Sequence, residues 1–188
     1  MPPKLKITKK DIIETALDLI RKNGQESINA RSIAGALGCS TQPIFSNFSS
    51  MEELEGEVIS LAYQRYVGFI EQELKSGKYP KYKSFGMAYI RFAKEERELF
   101  KLLFMCDRTG KDLTPTADFE SSVEMIMQSN KISREKANLL HMEMWACVHG
   151  IGTMLATSFL ELDWELISSM LTDVYQGLRT NHISEETK

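Results

Sequence analysis

Apolar positions recur every three to four residues along almost the whole chain, and no segment alternates with period two for long enough to make a strand. Over residues 9–23, Ile12, Ile13, Ala16, Leu17 and Ile20 share one stripe. Thr8 stands where an N-cap belongs, with Asp11 three residues on, and Asn23-Gly24 closes the segment. The spacing predicts a short second helix over 30–37, with Asn29 as cap and Gly38 as stop. A third covers 41–47, with Pro43 in the first turn, where its missing N–H is least harmful. A long fourth helix, 51–75, opens on the capping box Ser50-Met51-Glu52-Glu53. Further helices follow over 81–95, 96–106, from Thr114-Pro115 to 129, from Ser133 to 159, and from Asp163 to 180. The expected class is all-α, with about nine helices.

Residues 28–54 have helix-turn-helix form. Ile33, Ala34 and Leu37 turn one short helix inward, Gly38 permits a tight turn, and Ile44 and Phe48 pack the next helix back onto the first. Left outward on that helix are Thr41, Gln42, Pro43, Phe45 and Asn47, groups able to meet base edges, thymine methyls and phosphates. From spacing alone, a helical hairpin inside a bundle fits as well.

Charge adds an asymmetry. The net charge is −3, yet residues 1–50 carry +3 and the rest −6, so a polyanion partner suits one end only. Composition changes less: 43% apolar residues exclude a disordered chain, and the three scattered cysteines Cys39, Cys106 and Cys147 read as free thiols of a reducing cytoplasm. No apolar run suits a membrane span, and none follows Met1-Pro2-Pro3-Lys4 to make a secretory signal.

Ile33-Ala34, Leu37-Gly38-Cys39-Ser40, Ile44-Phe45, Asn47-Phe48, Ser50 and Glu53-Leu54 together resemble the DNA-binding domain of the tetracycline-repressor (TetR) family of transcriptional regulators. The resemblance covers residues 5–60. Further on, Trp145-Ala146-Cys147-Val148-His149-Gly150 is similar to a Trp-x-x-x-His-Gly element in one branch of that family. There are departures: Phe45 and Asn47 stand where the family usually has Tyr and His or Tyr, Met51 replaces a lysine, and Gln42-Pro43 replaces a stretch that commonly holds Gly.

The resemblance implies a helix-turn-helix domain over 1–50 and a ligand-binding and dimerisation domain over 51–188. Within the first, Thr41, Gln42 and Phe45 would read the bases, with Pro43 beside them on the DNA-binding face and Gln42 able to pair bidentately with adenine. Asn29, Arg31, Ser40 and Asn47 would hold phosphates, which set register without reading sequence. Asn29 and Ser40 read equally well as plain helix caps. Lys6, Lys9 and Lys10 would add arm contacts to the double-stranded operator. A homodimer through the last two helices would present two heads to a near-palindromic site. A small apolar effector would release it by favouring a different head spacing, with the fourth helix as lever.

The second domain is dense in aromatics and in methionine, of which the whole chain has ten. Most must be core, but Tyr66, Phe69, Tyr89, Phe92, Phe104, Met125, Trp145 and His149 are the candidate lining of an effector pocket. His141, Trp145 and His149 share a stripe. The two histidines are too far apart to chelate together, so no metal is expected, and His149 reads as a core or interface histidine or a ligand's hydrogen-bond partner. No catalytic constellation and no cofactor motif is present, so no enzyme is expected. The alternative to a regulator is a helical ligand-binding or interaction protein without specific DNA binding.

Overall fold

A computed structural model describes residues 7–107 and 117–184. Among them are nine α-helices and no strand. They are α1 (Lys9–Asn23), α2 (Ala30–Ala36), α3 (Gln42–Asn47), α4 (Met51–Ser76), α5 (Lys81–Glu95), α6 (Arg97–Phe104), α7 (Ala117–Asn130), α8 (Arg134–Ala156) and α9 (Trp164–Ser184), with one 3₁₀ turn, Gln25–Ser27. The expected all-α class and helix number are as found. Thr114 and Pro115, expected to start α7, lie outside the described residues, as do Lys4 and Lys6. No helix among the described residues is long and apolar enough to cross a membrane.

The chain forms two compact units. The first runs to Gly68 and takes in Glu96–Cys106. Here α1 packs on the 3₁₀ turn, α2, α3 and α6. Its stripe is the reason: Ile12, Ala16, Leu17 and Ile20 are buried, as are Ile33, Ile44, Leu54, Leu99 and Phe100 from the other elements. Each large side chain so buried contributes about 1.5–3 kcal/mol, which holds together helices too short to form alone. Thr8 caps α1 as the sequence predicts: its Oγ1 accepts from Asp11 N–H at 3.2 Å, and Asp11 accepts from Thr8 N–H at 2.8 Å. The bonds it accepts from the Thr8 N–H and hydroxyl hold the Asp11 carboxyl below its ordinary pKa.

One polar group is sealed into this unit. Glu96 lies in the break between α5 and α6 and is only 7% exposed. Arg21 grips it bidentately, through Nε at 2.7 Å and Nη2 at 2.9 Å, and Arg65 donates from Nε at 2.8 Å. Charge complementarity therefore pins α1, α4 and the start of α6 at one point.

The second unit comprises Phe69–Glu95 and the chain from Asp107 onward. Its central helix is α8, packed against α5, α7 and α9. Ala137, Leu140, Met144, Val148, Ile151 and Leu155 form its buried stripe at helical spacing. Close approach comes at Gly86 of α5, where an added Cβ would lie 3.2 Å from Val148 Cγ2 and 3.5 Å from Leu171 Cδ1. Gly150 of α8, by contrast, has open space around it.

Two helix ends differ from expectation by three residues or more. α8 stops at Ala156, not at 159, in a Schellman motif: Phe159 N–H donates to Met154 O and Ser158 N–H to Leu155 O. Ser158 takes the left-handed position, φ 57°. α9 continues to Ser184, past the expected 180.

Candidate functional site

The helix-turn-helix is built from short-range chemistry. Asn29 caps α2, its Oδ1 accepting from Arg31 N–H and Ser32 N–H at 3.0 Å each, while Ser32 Oγ accepts from Asn29 N–H at 3.0 Å. Arg31 is exposed and has no ion pair among the described residues. α2 ends in a Schellman motif, with Cys39 N–H donating to Ala34 O and Gly38 N–H to Gly35 O. Gly38 holds φ 64°, which only glycine adopts without strain.

Of the two residues expected at helix starts, Asn29 is a cap and Ser40 is not. Thr41 occupies the N-cap position of α3 in αR conformation and makes no capping bond with its side chain. Pro43 lies in the first turn. Ile44 and Phe48 are buried at 1% and 3%, whereas Phe45 on the opposite face is 57% exposed. Ser40 and Gln42 are also exposed, and Thr41, Pro43 and Asn47 are half-buried.

Two polar groups of α3 already have partners. Asn47 Nδ2 donates to Pro43 O at 2.8 Å, and Ser46, which the sequence did not single out, donates to Gln42 O at 2.9 Å. The outward groups that remain are Gln42, Phe45 and Thr41, a polar amide beside an apolar ring.

The capping box at α4 is only half closed. Glu53 N–H donates to Ser50 Oγ at 3.3 Å, but the Glu53 carboxylate turns one residue upstream to Ser49, accepting from its N–H at 2.8 Å and its hydroxyl at 2.7 Å. Lys9 reaches the same carboxylate at 3.5 Å and Glu57 at 2.8 Å, and its ammonium lies 4.9 Å from the Phe48 ring centre. The bond it donates to Glu57 and the two carboxylate charges raise the Lys9 pKa. Lys10 pairs loosely with Glu14 at 3.7 Å.

The eight candidate pocket residues fall into separate groups. In the first unit, Tyr66 and Phe104 meet edge to face at 5.2 Å. In the second, Phe69 and Phe92 do so at 5.3 Å. Tyr89 Oη lies 2.8 Å from His149 Nδ1, and Trp145, 44% exposed, stacks on the same imidazole at 5.0 Å. Met125 is half-buried on α7. A small cavity of about 10 Å³ in the first unit is lined by Ile20, Ile28, Val58 and Leu102. An open groove of about 490 Å³ in the second lies between Lys136, Leu139, Glu143, Leu178 and His182. Neither is lined by any of the eight.

A second tyrosine–histidine pair accompanies the first. Tyr82 Oη is 2.9 Å from His141 Nδ1, with Phe119 packed on the imidazole at 4.7 Å. Burial lowers the His141 pKa to about 4 and lowers that of His149 as well. Both pairs join α5 to α8 in ascending order, so those helices run in the same direction. Burial also raises the Cys147 thiol, the opposite of what a nucleophile needs.

No protein-family model matches the chain, and no curated protein matches it in sequence. Among solved structures, the fold is similar to that of a TetR-like transcriptional regulator from Rhodococcus sp. RHA1. The two share 14% identity, with a TM-score of 0.66 over 98% of each chain. The chain thus has a TetR-like fold.

Proposed function

We propose, from that fold and the face it leaves open on α3, that this protein is a sequence-specific DNA-binding transcriptional regulator. The observation that carries the reading is the division of α3. Ile44 and Phe48 are buried while Gln42 and Phe45 project beside a glycine turn, with Phe45 57% exposed. Gln42 reads adenine through its amide and Phe45 meets a thymine methyl; Thr41 and Pro43 flank them. Arg31, Ser40, and the amide nitrogens of Asn29 and Asn47 hold phosphates.

The regulator acts as a homodimer through α8 and α9 and reads a near-palindromic operator in the cytoplasm. Supporting this, Leu139, Met142 and Trp145 on α8 and Leu166 on α9 are apolar yet largely exposed within the chain. It is a repressor, released when a small, largely apolar effector binds in the helical body near Tyr89, Trp145 and His149. If the effector weakens operator affinity tenfold, the coupling is about 1.4 kcal/mol, and DNA weakens effector binding equally.

The test is selection of bound sequences from random duplex DNA by the full-length protein. A near-palindrome whose specificity relaxes in Gln42→Ala and Phe45→Ala supports the reading. A folded dimer that enriches no sequence at low salt overturns it in favour of an interaction protein.

A further inference from the structure

Electrostatics at the recognition face run against a polyanion. From Gly24 to Ser60 the chain has one cation, Arg31, and five carboxylates: Glu26, Glu52, Glu53, Glu55 and Glu57. Four of the five lie in the first two turns of α4, directly after the recognition helix. Unscreened, such a group repels phosphate over about 8–10 Å at ordinary ionic strength.

Lys9 is the only cation with an ion pair to these carboxylates among the described residues. It also touches the Phe48 ring, which closes α3, and through Glu53 it connects to Ser49 in the α3–α4 turn. An arm lysine free to hold phosphate would extend into solvent. Lys9 instead joins α1, the end of α3 and the start of α4, with its side chain 42% exposed.

On the reading that α3 binds DNA, we infer that Lys9 is a positioning residue: an internal counter-ion that shields the acidic start of α4 and fixes the α3–α4 turn without touching DNA. Arg31 is then the cation by which the helix-turn-helix itself holds the backbone.

Rescue by charge deletion separates shielding from contact, because both effects weaken as salt rises. Each phosphate contact contributes about 0.9 to the slope of log affinity against log salt. A shielding lysine contributes to affinity at low salt, loses its effect as salt rises, and is replaceable by deleting the charge it shields.

The experiment uses full-length protein and the duplex enriched from the random pool, with circular dichroism to check folding. Lys9→Met should weaken binding about five- to tenfold at low salt, and Lys9→Met/Glu57→Gln should recover at least half of that loss. Arg31→Ala should flatten the salt slope by about 0.9 per head, with no recovery from Glu57→Gln.

If Glu57→Gln fails to restore any of the affinity lost in Lys9→Met, Lys9 touches phosphate and the inference is wrong. A folded Lys9→Met protein with unchanged affinity also overturns it. Failure of the wild-type protein to enrich any duplex is a separate result, which removes the DNA-binding reading itself.

Discussion

Replacing Glu96 with glutamine tests how the first unit is held together. The wild-type carboxylate accepts three charge-assisted hydrogen bonds, two from Arg21 and one from Arg65, while itself 7% exposed. Glutamine keeps one acceptor oxygen and turns an NH₂ toward a guanidinium, so the charge attraction and at least one bond are lost. Breaking a fully buried ion pair costs about 3–5 kcal/mol. Arg21 and Arg65 are 34% and 42% exposed, so water recovers part of the loss, and about 2 kcal/mol is expected.

Urea denaturation followed by circular dichroism would show a lower midpoint at unchanged slope. A cycle with Arg21→Met would show the two substitutions strongly coupled. A loss below about 0.5 kcal/mol, or additive effects within that margin, would refute the claim that this carboxylate pins three elements.

Other outcomes follow from single features. His141 is held neutral by burial, with a pKa of about 4 in the folded protein against an ordinary histidine value of 6.5, so the unfolded chain binds more protons between those values. Stability therefore falls as pH drops from about 6.5 to 4, by about 2 kcal/mol after allowing for partial exposure, and His141→Phe should flatten that part of the pH profile. Ser158→Gly should raise stability by about 0.5–1 kcal/mol by relieving a left-handed serine; a decrease on thermal melting would count against that account. Thr8→Ala should cost about 1 kcal/mol through loss of the α1 cap, measured by the same urea titration. In the selection experiment, Phe45→Ala should relax preference at a single base step of each half-site, by about 1–3 kcal/mol, leaving the salt slope unchanged.

Two helix ends show what was legible and why. α2 and α8 finish in the same Schellman geometry. At α2 the left-handed position holds Gly38, which announces itself in the sequence, and the end falls within one residue of expectation. At α8 it holds Ser158, which nothing local marks, so the helix reads as running on through Phe159.

The recognition face was legible for a similar reason, since inward Ile44 and Phe48 define outward Gln42 and Phe45 by periodicity alone. The partner of Lys9 was not, because its carboxylates lie more than forty residues away. Nor was Gly86, whose role depends on Val148 and Leu171 from two other helices. In the helical body, aromatic type marks burial as readily as it marks a cavity.

The two tyrosine–histidine pairs across α5 and α8 have one more consequence. Tyr82 and Tyr89 are seven residues apart, His141 and His149 eight, so the two spacings along the helix axes are about 10.5 and 12 Å. Like the unequal marks of a vernier, they coincide in one register only. Sliding α5 along α8 by a turn breaks both bonds together and offers no equivalent pairing in return. The interface is therefore a detent with a single setting in place of a continuum.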